Sequence, residues 1–193
     1  MSLFKRIKRS LTGSIQTDDY ESRVISRNNN KTRSTFDPQI LPPEISEREV
    51  EILKDCWNTV QQDVAKVGII TFVGLFETHP DVHDAFMSFR AVNTSDLEYN
   101  AILRAHALRV MGTVNKCIYR LDNRDKLQEL MTEMGIRHKN YSVKIEFIDL
   151  MGPQFISSIK ASLETVWTDE HEKAWDNLFK VMCYHMRKGM CSI

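Results

Sequence analysis

From residue 46 onward the apolar positions recur three and four apart, the period of a helix with one buried face, and no stretch alternates as a strand would. The first such segment opens at SEREVEILKDCW. Ser46 and Glu49 form an S-x-x-E capping pattern there, each side chain suited to satisfy a free amide at the helix start, and Val50, Leu53 and Trp57 follow at helical spacing. A second helix is expected from Val64 to Thr78, with Ile69, Ile70, Phe72, Val73 and Phe76 apolar and a break at His79-Pro80. A short helical turn leads to Phe86 and then to a loop, SFRAVNTSD, in which Ser95 and Glu98 offer a second cap. The next helix presents Ile102, Leu103, His106, Val110, Met111 and Val114 on one side, and a fifth runs from Arg124 to His138. A sixth is expected from Ser142 to Trp167, kinked at Gly152-Pro153 because proline removes a hydrogen bond and crowds the preceding turn. Thr168 caps the last helix, which should stop at Gly189, a residue suited to a left-handed terminus. The fold class is all-α, without internal repeats.

The pattern changes near residue 45, and composition explains the change. Residues 12–35 are rich in Ser, Asn, Thr and Arg, with too little apolar content to repay the entropy of ordering, and Pro38, Pro42 and Pro43 come next as punctuation. The expected organisation is a disordered basic tail over 1–45, one helical domain over 46–189, and a short C-terminal tail over 190–193. Charge adds an asymmetry: residues 1–35 carry eight basic and three acidic groups, while the whole chain balances 26 against 26. No nucleic-acid partner is expected of so balanced a chain. Within the tail, Leu3, Phe4, Ile7, Leu11 and Ile15 fall on one arc of a helical wheel, opposite Lys5, Arg6, Lys8 and Arg9. That is the pattern of a basic interfacial helix, so weak contact of residues 1–15 with an anionic membrane stands beside the plainer reading of a solvated arm. Position 2 is Ser, which excludes myristoylation. No apolar run is long enough to span a bilayer, and the start lacks the continuous apolar core of a secretory signal. Cys56, Cys117, Cys183 and Cys191 show no CxxC or metal-ligand spacing and read as reduced thiols, as in a cytoplasmic chain.

One spaced set of residues carries chemistry. His106 and Val110, four apart, share the apolar face of their helix, which aims the imidazole inward. His138 ends a helix whose inward positions include Leu127, Leu130, Met131 and Met134. Two histidines on facing helices, walled by Phe72, Phe86, Phe89, Val143 and Ile148, suit a flat apolar cofactor gripped from both sides. Haem is such a cofactor, since neutral imidazole is its usual protein ligand. The second ring nitrogen of His138 should donate to a backbone carbonyl, that of Met134 one turn earlier. Arg109 and Arg137 either pair with haem propionates or are solvated surface charge. His79, His83, His171 and His185 sit in polar or terminal contexts and read as surface histidines.

Trp57, Phe72, the string HPDVHDAF ending at Phe86, then Phe89, His106, His138 and WDNLF around Trp175 and Phe179 resemble the globin family, neuroglobin and nerve-type invertebrate globins above all. The resemblance covers residues 46–189 and implies the globin fold, helices A–C and E–H around a haem b pocket. It makes Trp57 the core tryptophan of the first helix and Phe72 the distal-pocket residue of the second. Phe86 becomes the haem-stacking phenylalanine, Phe89 its partner, His106 the distal histidine, Val110 the distal valine and His138 the proximal iron ligand. The long N-terminal extension and Pro153 depart from the family pattern. So does the lack of a cysteine pair after Phe89, which removes the expectation of a redox disulfide there.

The implied function is a bis-histidyl, hexacoordinate haem protein in electron transfer or redox sensing, with an unidentified redox partner and displacement of His106 by O2, CO or NO. The alternative is an oxygen-binding globin for transport, storage or sensing. A haem-free interaction module is the third reading, and the presence of His138 with both loop phenylalanines argues against it. No residue singles out an enzymatic role such as nitrite or nitric oxide chemistry.

Overall fold

The computed structural model describes residues 36–90, 96–163 and 166–192, with the side chains of 87–98 outside that description. Its regular structure is helical throughout the described residues. In chain order the α-helices are α1 (Glu47–Val60), α2 (Val64–Thr78), α3 (Pro80–Arg90), α4 (Asp96–Ile118), α5 (Arg124–Asn140), α6 (Met151–Ser162) and α7 (Asp169–Cys191), with 3-10 turns at Gln61–Asp63 and Ile145–Leu150.

The Ser46–Glu49 cap forms as the pattern predicts. The Glu49 amide donates to Ser46 Oγ at 3.3 Å, and the Ser46 amide donates to Glu49 Oε2 at 2.8 Å. The other carboxylate oxygen accepts from Asn177 Nδ2 at 2.7 Å, which ties the start of α1 to α7. Ile52, Leu53, Cys56, Trp57 and Val60 bury one face of the rest of α1. Trp57 stands against Trp175 of α7, ring centroids 6.3 Å apart, and donates its indole N–H to Asn115 of α4 at 2.6 Å. The residue before Pro80 is pushed away from helical geometry, and His79 accordingly ends α2 at φ −135° and ψ 79°.

Three boundaries differ from the sequence expectation. The third helix continues past Phe86 to Arg90. The expected kinked helix from Ser142 to Trp167 is instead a 3-10 stretch followed by a shorter α6. Pro153 lies in the first turn of α6, where no helical partner awaits its missing N–H, so it starts a helix rather than bending one. Gly189 does not end α7 either: it is buried within the helix, which runs on to Cys191. The Ser95–Glu98 cap, the tail to residue 35 and the side chain of Phe89 lie outside the described residues. Residues 36–45 are irregular chain laid against the helices: Phe36 packs on Tyr184 at 5.3 Å, the Tyr184 hydroxyl donates to the Pro38 carbonyl at 3.0 Å, and Arg124 pairs with Glu44 at 3.1 Å.

Helix α2 packs between α4 and α6, while α7 packs on α1, α5 and α6. The buried side chains gather into two groups. The larger joins α1, the second half of α4, α5, α6 and α7 around Trp57, Phe155 and Trp175. The smaller joins α2 to the first half of α4 through Phe72, Val73, Phe76, Tyr99, Leu103 and Ala107, with Phe86 of α3 against it. Cys117 and Cys56 are packed as buried free thiols, and burial pushes the Cys117 thiol up to about 12.

Burial alone would raise the Glu49 carboxyl above its ordinary 4.5, but the Ser46 and Asn177 hydrogen bonds and the Lys173 charge outweigh it and hold it lower. A depressed carboxylate adds stability above pH 4.5 that is lost as pH falls through its folded value. Glu49→Gln should therefore cost about 1 kcal/mol at pH 7, and the gap from the parent should close in urea titrations carried below pH 4.

Candidate functional site

The two histidines come from helices held in place by different means. His106 lies in the middle of α4, half-buried, on the face that carries Leu103, Ala107 and Val110. Its ring meets Phe72 of α2 and Phe86 of α3 edge-on, both at 5.0 Å between centroids. Phe72 and Phe86 are themselves 6.5 Å apart, so the three rings form one aromatic wall. Val110, one turn further along α4, is half-buried against the same group.

His138 sits near the end of α5, also half-buried. Its Nδ1 lies 2.9 Å from the Met134 carbonyl, the partner and the helical offset that the sequence suggested. A carbonyl can only accept, so the proton belongs on Nδ1. The Nε2 lone pair has no hydrogen-bond partner among the described residues. Burial pushes the imidazole below its ordinary 6.5, and the weaker pull of the Met134 hydrogen bond does not reverse it, so the ring is neutral near pH 7. The backbone after it is equally fixed. Val143 N–H donates to the His138 carbonyl and Ser142 N–H to that of Lys139, at 3.1 and 2.9 Å, closing a Schellman motif around Ser142 at φ 58°.

Met134 and Val143 are half-buried, and Ile148 in the second 3-10 turn is buried. That turn is tied to α7 twice, by the Arg187–Asp149 ion pair and by Cys183 Sγ, 3.5 Å from the Ile148 carbonyl. Arg109 and Arg137 are exposed, and Arg137 is paired with Glu133 one turn back at 2.6 Å. No group of three or more acidic, histidine or cysteine side chains is placed to hold a metal ion among the described residues.

Sequence reasoning missed the extension of the aromatic wall. Phe76 lies 5.4 Å from Phe86, His83 stands edge-on to Phe76 at 5.2 Å, and Tyr99 lies 6.0 Å from His83. His83 is thus half-buried rather than a surface residue. The available signal was its i, i+3 relation to Phe86 on one helix. His79, His171 and His185 are also half-buried, and His171 faces the Thr168 hydroxyl at 2.7 Å.

The family model for globins matches residues 71–186. Cytoglobin-1 of Oryzias latipes is 28% identical over 144 residues, covering 72% of this chain and 80% of that protein. Neuroglobin of Tetraodon nigroviridis is 23% identical over 146 residues, covering 75% and 92%. Among solved structures, a hexacoordinated haem protein from an anhydrobiotic tardigrade superposes with a TM-score of 0.69 at 20% identity, covering 81% of this chain and 99% of that one.

Ser142 occupies left-handed space, which costs a non-glycine residue about 1–2 kcal/mol. Ser142→Gly should stabilise the fold by up to about 1 kcal/mol after allowing for glycine's greater freedom when unfolded, read as a higher urea midpoint. Ser142→Val should lower it and fray the turn after His138, seen as faster amide exchange at Val143.

Proposed function

The chain belongs to the globin family, and from that premise we propose that it holds one haem b between His138 and His106 as a bis-histidyl, hexacoordinate redox protein. The observation that carries this reading is the His138 hydrogen bond to Met134, which keeps Nδ1 protonated and leaves the Nε2 lone pair without a partner among the described residues. A neutral imidazole with one nitrogen committed as donor and the other lone pair open is the form in which histidine ligates a metal. On this reading Phe72, Phe86 and Val110, gathered on the His106 side, and the buried Ile148 would supply apolar wall, with the half-buried Met134 and Val143 on the His138 side. Haem supplies a one-electron iron couple and a site for diatomic gases. None of the four cysteines stands in a CxxCH string, which favours a non-covalent haem b.

Each residue has a defined task. His138 presents Nε2 at a fixed angle because its other nitrogen and its own carbonyl are both hydrogen-bonded. Phe72 and Phe86 meet the His106 ring edge-on and give that side an apolar lining. With an imidazole held on each side, neither residue has to move when an electron is gained or lost, which suits electron transfer or redox sensing. O2, CO or NO would compete with His106. If that side chain stands aside about 1% of the time, apparent gas affinity falls about a hundredfold. Arg109, exposed on α4, is free to meet a propionate, whereas Arg137 would first have to leave Glu133. The half-burial of His106 leaves room for a swing outward and favours the second reading, oxygen transport, storage or sensing.

The ferrous visible spectrum separates the two. Sharp low-spin bands are expected from the parent, and a five-coordinate high-spin spectrum with faster carbon monoxide binding from His106→Leu. His138→Ala should lose most of its haem. A parent that is already five-coordinate and binds carbon monoxide as fast as His106→Leu gives first place to the gas carrier. Stoichiometric haem and an unchanged spectrum in His138→Ala would remove the ligand assignment.

We also assign anionic-lipid contact to residues 1–15, and a cytoplasmic setting suits the unpaired cysteine spacing. No helix among the described residues is long and apolar enough to cross a membrane. Each Lys or Arg near an anionic surface adds about 1 kcal/mol. Full-length protein should co-sediment with phosphatidylserine vesicles in low salt and release in high salt, while a chain lacking residues 1–35 should stay in solution with its haem spectrum intact. Equal sedimentation of both chains would end the assignment.

A further inference from the structure

Helices α5 and α7 meet backbone to backbone. A Cβ built on Gly135 of α5 would lie 1.9 Å from the Met186 carbonyl oxygen of α7, and one built on Gly189 of α7 would lie 2.1 Å from the Thr132 carbonyl oxygen of α5. The contact is reciprocal: each helix offers a glycine to a carbonyl of the other, three residues along from the carbonyl it presents in return. Such approaches admit only Cα–H···O contacts, and any side chain beyond hydrogen must force the backbones apart.

The crossing lies against the backbone that orients His138. The Met134 carbonyl that accepts from His138 Nδ1 belongs to the peptide unit joining Met134 to Gly135. The peptide unit whose carbonyl orients the imidazole therefore ends at the Cα that lies against α7. We propose that Gly135 and Gly189 are positioning residues for His138: their close crossing fixes the Met134 carbonyl, and through it the angle at which the imidazole is presented. This rests on the reading of His138 as the iron ligand. A Cβ at Gly189 needs about 3.3 Å from a carbonyl oxygen, so α5 must retreat by about 1 Å, a shift that reaches His138 within two turns.

The test uses holo-protein. Gly189→Ala should lose haem to an acceptor protein at least tenfold faster than the parent and should shift its low-spin ferric EPR g-values. Gly112→Ala on α4, where a Cβ meets nothing within 4 Å, should do neither. Repeating Gly189→Ala in a His138→Gly background supplied with free imidazole separates positioning from general damage. A ligand not tethered to α5 should give the same g-values with either residue at 189. Should Gly189→Ala fail to accumulate, truncation after Lys188 removes the contact instead of crowding it, with Met190→Ala as its baseline, and the same g-value shift is expected. Unchanged g-values and haem loss in these variants overturn the proposal, as does a shift that persists with free imidazole. If His138→Gly keeps the parent spectrum without added imidazole, the ligand reading itself falls and the proposal with it.

Discussion

A half-buried imidazole keeps its lone pair on one chosen nitrogen while its other nitrogen has a fixed acceptor. In this chain that acceptor is a main-chain carbonyl one turn back on the same helix, 2.9 Å from His138 Nδ1. A helix carbonyl normally serves an amide four residues on, so the second bond uses a lone pair that the helix leaves spare. It therefore costs the helix nothing while setting tautomer and ring angle together. Burial favours the neutral ring that such a site requires. The arrangement works only if α5 itself is immobile, and the remaining features around it serve that end: the Schellman turn after His138, the close approach of α7, and the tie from Arg187 to Asp149 across the next turn.

Around His106 the described contacts are those of packed rings. His106 stands among Phe72 and Phe86, and edge-to-face ring contacts contribute about 0.5–1.5 kcal/mol each beyond area burial. These rings belong to the smaller group of buried side chains, whose membership is confined to α2, the first half of α4 and their neighbours. The larger group, with Trp57 and Trp175 wholly buried, carries the assembly of α1, α5, α6 and α7. Changes among the site's aromatic residues thus load the smaller group first, while changes in α5 or α7 reach the main core directly.

Helix number, order and most boundaries were legible because the 3.6-residue period, the Ser46–Glu49 cap and the His79-Pro80 break are local signals. The expectation of a histidine pair came from family likeness, since spacing alone does not say which histidines face each other. His83 shows the limit. Its i, i+3 relation to Phe86 was the one local hint, and what half-buries it is Phe76 arriving from another helix. Pro153 and Gly189 were misjudged for a related reason. A proline is read as a kink or as a helix start according to where the helix begins, and here the 3-10 stretch takes up the residues that seemed to precede it. A glycine near a terminus is read as a stop unless the partner helix is known, and only the Thr132 carbonyl shows why residue 189 has no side chain.

The two histidines thus answer to different kinds of constraint, and the difference bears on which of them yields. To move His138, the Met134 hydrogen bond must break, and any larger shift of α5 strains the Schellman turn and the contact with α7. His106 meets Phe72 and Phe86 through a side chain that can rotate about its own bonds while α4 stays where it is. Side-chain rotation is fast and local, whereas helix displacement is slow and collective. On the proposed reading, an exchange of ligand would fall to His106, with His138 as the fixed point. The same asymmetry reconciles the redox reading with the gas-binding one, since both use one rigid imidazole and differ only in how often the other stands aside.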